Sequence, residues 1–254
     1  MRIIKKGNTK STSIFEIFKF KEFIFALFLR NIATMYKQTV LGPFWQILNP
    51  LIQSLMFTLV FSKIAKLPTD EIPPFLFYSS AMLIWIFFQS TSMKTSDCFL
   101  NFSQLIRNAY IPKITIALSL LLENIFLFVI NFFIFVLLYL YFIFLDFEIN
   151  FNFKLLIFLP IVVLYVSILS GSIGLIVACL SAKFRDLRFI ISYGLQIAFY
   201  GTPIVYSLNS IPDKYHIFFY FNPMTFFIDY FRNLFFSTGE LNLNFLYSSI
   251  IFCC

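Results

Sequence analysis

Five apolar stretches, Leu41–Ser62, Pro74–Met93, Ile114–Leu145, Lys154–Leu180 and Phe189–Ser207, are each about as long as a bilayer is thick. Crossing ~30 Å of hydrocarbon takes about 20 apolar residues in a helix, because lipid offers no partner to an open backbone. A sixth stretch, Asn244–Cys254, begins the same way, and the sequence stops after its 11 residues. The predicted fold is an all-α polytopic membrane protein of six helices, the sixth incomplete here. Of 254 residues 60% are hydrophobic and 12% charged, more apolar surface than a soluble domain of that length can bury. One membrane domain over residues 39–254 is expected, after an N-terminal segment over 1–38 that carries an interfacial amphipathic helix.

Charge supplies an orientation. Of 19 Lys and Arg residues, 14 lie in Met1–Gln38, Lys94–Lys113 and Ser181–Arg188, which alternate with the spans and return to one side. Positive charge resists translocation, so that side is expected to be the cytoplasm. The net charge of +7 is interleaved with hydrophobic spans and not gathered on one face, which argues for anionic lipid and against nucleic acid. The 39 Phe are read mainly as the mark of AT-rich codons, so only placed aromatics inform. Cys98, Cys179, Cys253 and Cys254 have no metal-binding spacing and read as free thiols. A polar start without a small-residue cleavage site predicts no cleavable signal peptide.

Smaller features fill in the frame. Ile14–Arg30 is apolar but carries Glu16, Lys19, Lys21, Glu22 and Arg30, which suits a helix lying in the headgroup plane, as an anchor or a gate. Pro50 is expected to kink the first span. Asp70, Glu71, Pro73 and Pro74 make a short acidic external turn. Ser170, Gly174 and Ala178 recur every fourth residue beside Gly171, a face that lets helices approach closely. Leu208–Leu243 holds two apolar pieces, Ile217–Phe221 and Phe226–Phe236, too short to span. They predict segments that dip into the outer leaflet and return, sheltered by protein.

Taken in order, these strings resemble a family. Arg30-Asn-Ile-Ala-Thr-Met-Tyr-Lys-Gln-Thr-Val-Leu-Gly-Pro-Phe-Trp-Gln-Ile-Leu-Asn-Pro50 resembles the entry of ABC-2-type export permeases, in the branch that exports O-antigen or teichoic acid polymers. Leu105-Ile-Arg-Asn-Ala-Tyr-Ile-Pro-Lys113 resembles that family's cytoplasmic coupling segment, and Phe184-Arg-Asp-Leu-Arg188 its second cytoplasmic loop. Thr202-Pro-Ile-Val-Tyr206, Asn222-Pro-Met-Thr225 and Phe231-Arg232 resemble its external re-entrant region, here 208–243. The resemblance runs from about Ala26 to Gly239 and departs from the family only in the unfinished sixth helix. It implies a multi-pass protein of the bacterial inner membrane with a cytoplasmic N-terminus. It also implies a permease homodimer, two copies of a separate ABC ATPase that holds ATP and Mg, and a lipid-linked polysaccharide as substrate.

Candidate residues follow from residue chemistry and from that resemblance together. No G-x-x-x-x-G-K-[ST] loop occurs, so no nucleotide cofactor is expected in this chain. The coupling candidate is the segment 97–113: Leu105, Ile106 and Tyr110 at helical spacing as an apolar face for the ATPase, Arg107 and Lys113 adding charge, with Pro112 between. Phe184, Arg185 and Asp186 sit at the inner mouth, where Arg185 and Asp186 pair with each other, pair with the first cytoplasmic segment, or stay solvated. Glu123 is an intramembrane carboxylate with Asn124 and Asn131 nearby; it lines a pore, pairs between helices, or hydrogen-bonds a neighbour. Tyr36, Trp45, Trp85, Tyr200 and Tyr206 lie near span ends, as interfacial anchors or as rings that a sugar polymer slides over. In the external region, Asn222 and Pro223 break the chain, and Arg232 has Asp229 three residues earlier as partner. No catalytic triad, carboxylate pair or metal cluster is spaced for chemistry. A drug or simple-lipid exporter is the nearest alternative, and a membrane-embedded enzyme of lipid-linked sugars or a scaffold are more distant ones.

Overall fold

A computed structural model describes residues 14–37, 44–108, 111–145, 156–157, 159–184, 186–220 and 222–237. Helix α1 (Ile14–Lys19) leads into α2 (Lys21–Lys37), whose one face buries Ile24 and Leu27 while Phe18, Phe25 and Leu29 stay exposed. Apolar side chains on the outside are expected where lipid is the solvent.

Among the described residues four helices are long and apolar enough to cross a membrane. The first is α3 (Phe44–Phe57), which continues as a π-helix over Thr58–Ile64. Pro50 withholds one N–H inside α3, yet the helix runs through it, and the departure from α geometry falls at the wide turn eight residues later. Gly42 and Pro43 lie outside the described residues.

Helix α4 (Pro74–Ser96) is the hub, buried along most of its length and packed against α2-bearing α7 (Ile114–Phe144) and against α8 (Leu159–Ser181). Pro74 opens it at a position where a missing N–H costs nothing. Its hydroxyls would be costly in lipid, but Ser79, Ser80, Thr91, Thr95 and Ser96 donate to carbonyls three or four residues back. These five hydroxyls are thus closed off and leave a narrow helix that neighbours can approach. On α8 the matching face is Ser170, Gly174 and Ala178, all buried. A Cβ on Gly174 would lie 1.9 Å from Thr95 Oγ1 and 2.7 Å from the Ser92 carbonyl oxygen, so only glycine fits. The small-residue face is therefore a packing face, as its spacing suggests.

The short helices α5 (Cys98–Asn101) and α6 (Ser103–Asn108) follow α4 before α7 begins. The expected fifth span differs from the sequence reading. Helix α9 (Leu187–Tyr200) has 14 residues and ends at Gly201, short of the predicted 189–207. Pro203 explains the stop: it has no N–H to continue the ladder and disfavours helical geometry at Thr202.

The region after α9 forms α10 (His216–Tyr220) and α11 (Pro223–Phe236). Asn222 caps α11 by accepting from Met224 N at 3.0 Å, and Ser237 closes it in a left-handed conformation. Almost every residue of α11 is buried. Phe231 and Phe235 pack on Phe132 and Phe135 of α7, Phe227 on Tyr165 of α8, and Tyr139 Oη donates to the Phe235 carbonyl at 2.9 Å. The region thus holds two short helices, of which α11 lies inside the bundle while α10 leaves Ile217 and Phe218 exposed. The predicted sixth helix, 244–254, lies outside the described residues.

Candidate functional site

The basic segments meet at one end of the bundle. At the last turn of α4, Lys94 and Asp97 stand three residues apart on one face, and each carries a partner from another element. Lys94 Nζ pairs with Glu123 Oε1 of α7 at 2.5 Å, and Asp97 Oδ1 accepts from Arg188 Nε of α9 at 2.5 Å. Glu123 is 3% exposed, so the pair supplies the countercharge that an intramembrane carboxylate requires. Asn124, next to it, donates to the Leu120 carbonyl at 2.8 Å and accepts from Ser90 Oγ at 3.0 Å. Of the readings open for Glu123, the structure gives the interhelical pair.

Around that point the coupling candidates are arranged unequally. Leu105 and Ile106 are half-buried against a small cluster of Leu27, Cys98, Ile116, Leu120 and Ala178, so they face their own protein. Arg107 and Lys113 are exposed, Arg107 Nε donating to the Ser103 carbonyl at 3.4 Å and Lys113 Nζ lying 5.7 Å from the Phe99 ring. Pro112 is half-buried and its carbonyl accepts from Thr115 N at 3.0 Å, which fastens the start of α7. Tyr110 lies outside the described residues. The expected apolar face thus has Leu105 and Ile106 turned toward their own protein. Burial pushes the thiol of Cys98, within this cluster, up to about 12, which leaves it inert.

At the second loop Phe184 is exposed with Lys183 Nζ 5.2 Å from its ring, and Asp186 precedes the first turn of α9. Arg185 lies outside the described residues. Among the described residues the two basic loops are bridged by Asp97 and Arg188, which lie within the coupling segment and the second-loop string but are not singled out by their chemistry there. Their signal was present: Asp97 is the one acidic residue in Lys94–Lys113. Lys94 was likewise counted only as topology, although Glu123 needed a cation.

The aromatic candidates separate by burial. Trp45 and Tyr200 are exposed, at 53% and 62%. Trp85 is 2% exposed and locked between Phe88 and Phe199, both at 5.5 Å, so it serves the core of the protomer. Tyr206 is half-buried, donates to the Tyr200 carbonyl at 2.9 Å and meets Phe219 edge-on. The side chain of Tyr36 lies outside what the structure describes.

At the opposite end Arg232 is buried, its guanidinium stacked 3.7 Å from the Phe77 ring centroid. Its two terminal nitrogens donate to the carbonyls of Pro203 at 2.6 Å and Ile204 at 3.0 Å. The pairing expected with Asp229 is therefore not the main contact; two carbonyls freed by the Pro203 turn take that place. Asn222 Nδ2 binds the same turn, at the Gly201 carbonyl (3.0 Å) and Thr202 Oγ1 (2.7 Å), with Pro223 next to it as the first residue of α11. Ser207 Oγ donates to Asp70 Oδ2, joining this turn to the acidic one. Asn131 faces the cavity between α3, α4 and α7.

These features define an all-α polytopic membrane protein whose helices converge on charged bridges at one end and on a short buried helix at the other. The sequence family described as ABC-2 type transporter matches residues 22–236. The chain belongs to that family. Among its relatives are the "O-antigen export system permease protein RfbA" of Klebsiella pneumoniae, 27% identical over 219 residues that cover 85% of this chain and 81% of that protein. A second is the protein of the same name from Myxococcus xanthus, 24% identical over 199 residues, 78% of this chain and 74% of that one. Family members of this kind are membrane subunits of transporters, so transport and not bond chemistry is the chain's work.

Proposed function

We propose that this chain is the permease subunit of an ABC exporter that moves a lipid-linked polysaccharide, O-antigen-like or teichoic-acid-like, outward across the bacterial inner membrane. The observation that carries the reading is similarity to O-antigen export permeases along four-fifths of the chain. The basic end is the cytoplasmic end, because Met1–Gln38, Lys94–Lys113 and Ser181–Arg188 hold most of the cations. Two permease copies and two ATPase copies make the exporter, and the ATP and Mg belong to the ATPase.

The ATPase seats on the exposed side of α5, α6 and the entry to α7, where Arg107 and Lys113 project, and the inward-facing Leu105 and Ile106 hold that platform to the bundle. Asp97 lies where α4 passes into this platform and grips Arg188 on the first turn of α9. A displacement of α5 and α6 therefore pulls α9 directly. At the other end Arg232 and Asn222 fasten the far terminus of α9 to α11, so α9 moves as a lever held at both ends. Trp45 and Tyr200, exposed on α3 and α9, are the rings best placed to meet the polymer when a second copy closes the pathway.

The test is deletion of the gene in its own host with complementation by the intact gene. Loss of long surface polysaccharide on immunoblot, restored by the gene and by no variant that releases the ATPase, is expected. Normal surface polymer in the deletion strain would overturn the reading.

A further inference from the structure

A cleft of about 460 Å3 opens between α3, α4 and α9, and three primary amides stand on its wall: Gln53, Gln89 and Gln196. Helix geometry puts them at one level. Gln53 and Gln196 lie nine residues beyond Phe44 and Leu187, the first residues of α3 and α9, and Gln89 lies seven residues before Ser96, the last of α4. At 1.5 Å per residue that is a depth of about 13 Å for the first two and about 10 Å for the third, counted from the basic end. Gln53 Nε2 donates to Asn49 Oδ1 at 3.0 Å, which leaves it a second N–H and its carbonyl. Gln89 and Gln196 make no hydrogen bond among the described residues. Ser192 on the same wall offers little, because its Oγ donates to the Arg188 carbonyl at 3.1 Å. Phe57 and Phe199 stack at 5.6 Å on the outer side of the amides, and Tyr200 beside them is exposed.

Charge is missing from this level. Residues 44–57, 74–93 and 189–200 contain no Lys, Arg, Asp, Glu or His. Lys94 and Arg188, which follow at the basic end, are paired with Glu123 and Asp97. A phosphodiester drawn into the cleft would exchange water for amides and rings without a countercharge, a costly transfer for an ion. A neutral sugar meets no such cost. Its hydroxyls both donate and accept, as the three amides do, and its C–H face suits an aromatic ring.

We propose that this cleft selects a polysaccharide whose repeat unit is uncharged, an O-antigen-like chain of neutral sugars and not a polymer with a phosphodiester in every repeat. Gln53, Gln89 and Gln196 exchange hydrogen bonds with the hydroxyls of one passing sugar, and Tyr200 takes its apolar face. The inference rests on the exporter reading above and narrows its substrate.

The experiment uses the permease with its ATPase in phosphatidylcholine nanodiscs and a photoreactive mannose tetramer as probe. Crosslinks are expected on α3, α4 and α9. Unlabelled mannose tetramer is expected to compete at about tenfold lower concentration than a glycerol phosphate tetramer. Gln53→Leu, Gln89→Leu and Gln196→Leu each weaken labelling about fivefold in complexes that still copurify, the effect of one lost hydrogen bond. Gln196→Arg supplies the missing countercharge and reverses the preference toward the phosphate oligomer. Equal competition by the two oligomers in the parent would overturn the site. So would labelling untouched in all three Leu variants, labelling absent from these helices, or a preference that Gln196→Arg leaves unchanged. Surface polymer separates this inference from the reading beneath it. The polymer lost on deletion of the gene is expected to have an uncharged repeat. A lost polymer with phosphate or uronate in every repeat sinks this inference and leaves the exporter reading standing, whereas a deletion strain that loses no polymer sinks the exporter reading itself.

Discussion

Gly174→Ala adds one methyl group at the tightest helix contact of the bundle. The new Cβ would stand 1.9 Å from Thr95 Oγ1 and 2.7 Å from the Ser92 carbonyl oxygen, both far inside van der Waals contact. The first clash is with a side chain whose hydroxyl is engaged with the Thr91 carbonyl at 2.5 Å, and the second is with backbone that cannot rotate away. Overpacking of a close-packed core costs typically about 1–3 kcal/mol, and this site belongs at the upper end because backbone is involved. Thr95→Ala removes the Oγ1 clash but keeps the residue's own Cβ and the Ser92 oxygen, both at 2.7 Å, so the double variant should recover only part of the loss. The assay is reversible unfolding of detergent-solubilised protein in the four-member cycle, with helicity followed by circular dichroism. If Gly174→Ala matches the parent, or if its loss is unchanged when residue 95 is Ala, the α4–α8 contact is not as described.

Further outcomes are expected elsewhere. Asp97→Ala and Arg188→Ala should each cost only about 0.2–1 kcal/mol, since both partners are partly exposed, yet should uncouple ATP hydrolysis from export; the exchanged pair Asp97→Arg with Arg188→Asp should restore coupling. Glu123→Ala removes the counterion of a Lys94 that stays 32% exposed and should destabilise by about 1 kcal/mol, read as a lower unfolding midpoint, while Glu123→Gln retains part of it. Arg107→Glu, on the exposed face, should release the ATPase on copurification with the permease still folded, whereas Leu105→Asp should lower folded permease first, because Leu105 packs inward. The Cys98 thiol should resist maleimide at pH 8: burial has raised it to about 12, so the reactive thiolate fraction grows only as pH approaches that value.

Much of this architecture was readable from residue patterns because lipid imposes simple rules. Apolar runs of fixed length fall within a few residues of the four long apolar helices, and the spacing of Ser170, Gly174 and Ala178 falls on a close helix contact. Helix α9 was misread because hydropathy continues past Tyr200, while backbone chemistry at Gly201 and Pro203 ends the helix. The site was harder. Which side of α6 faces inward depends on the Leu27 and Ala178 cluster, brought together from α2 and α8, and no local spacing reports that. Trp85 looked like an interfacial ring near a span end, but α4 is the central helix, so its aromatics are core. Charge pairing across elements was the largest omission. Asp97 finds Arg188 91 positions away, and Arg232 prefers two carbonyls exposed by a distant proline turn to the carboxylate one helical turn behind it.

The measurement that bears most directly on an ATP-driven permease with its basic end inside is labelling of Arg107→Cys, in a cysteine-free background, with a membrane-impermeant maleimide. Intact cells should show no reaction, inverted membrane vesicles stripped of the ATPase should react, and adding back the ATPase should suppress it. Labelling in intact cells, or reaction in vesicles that the bound ATPase leaves unchanged, would contradict both the orientation and the seat assigned to the motor.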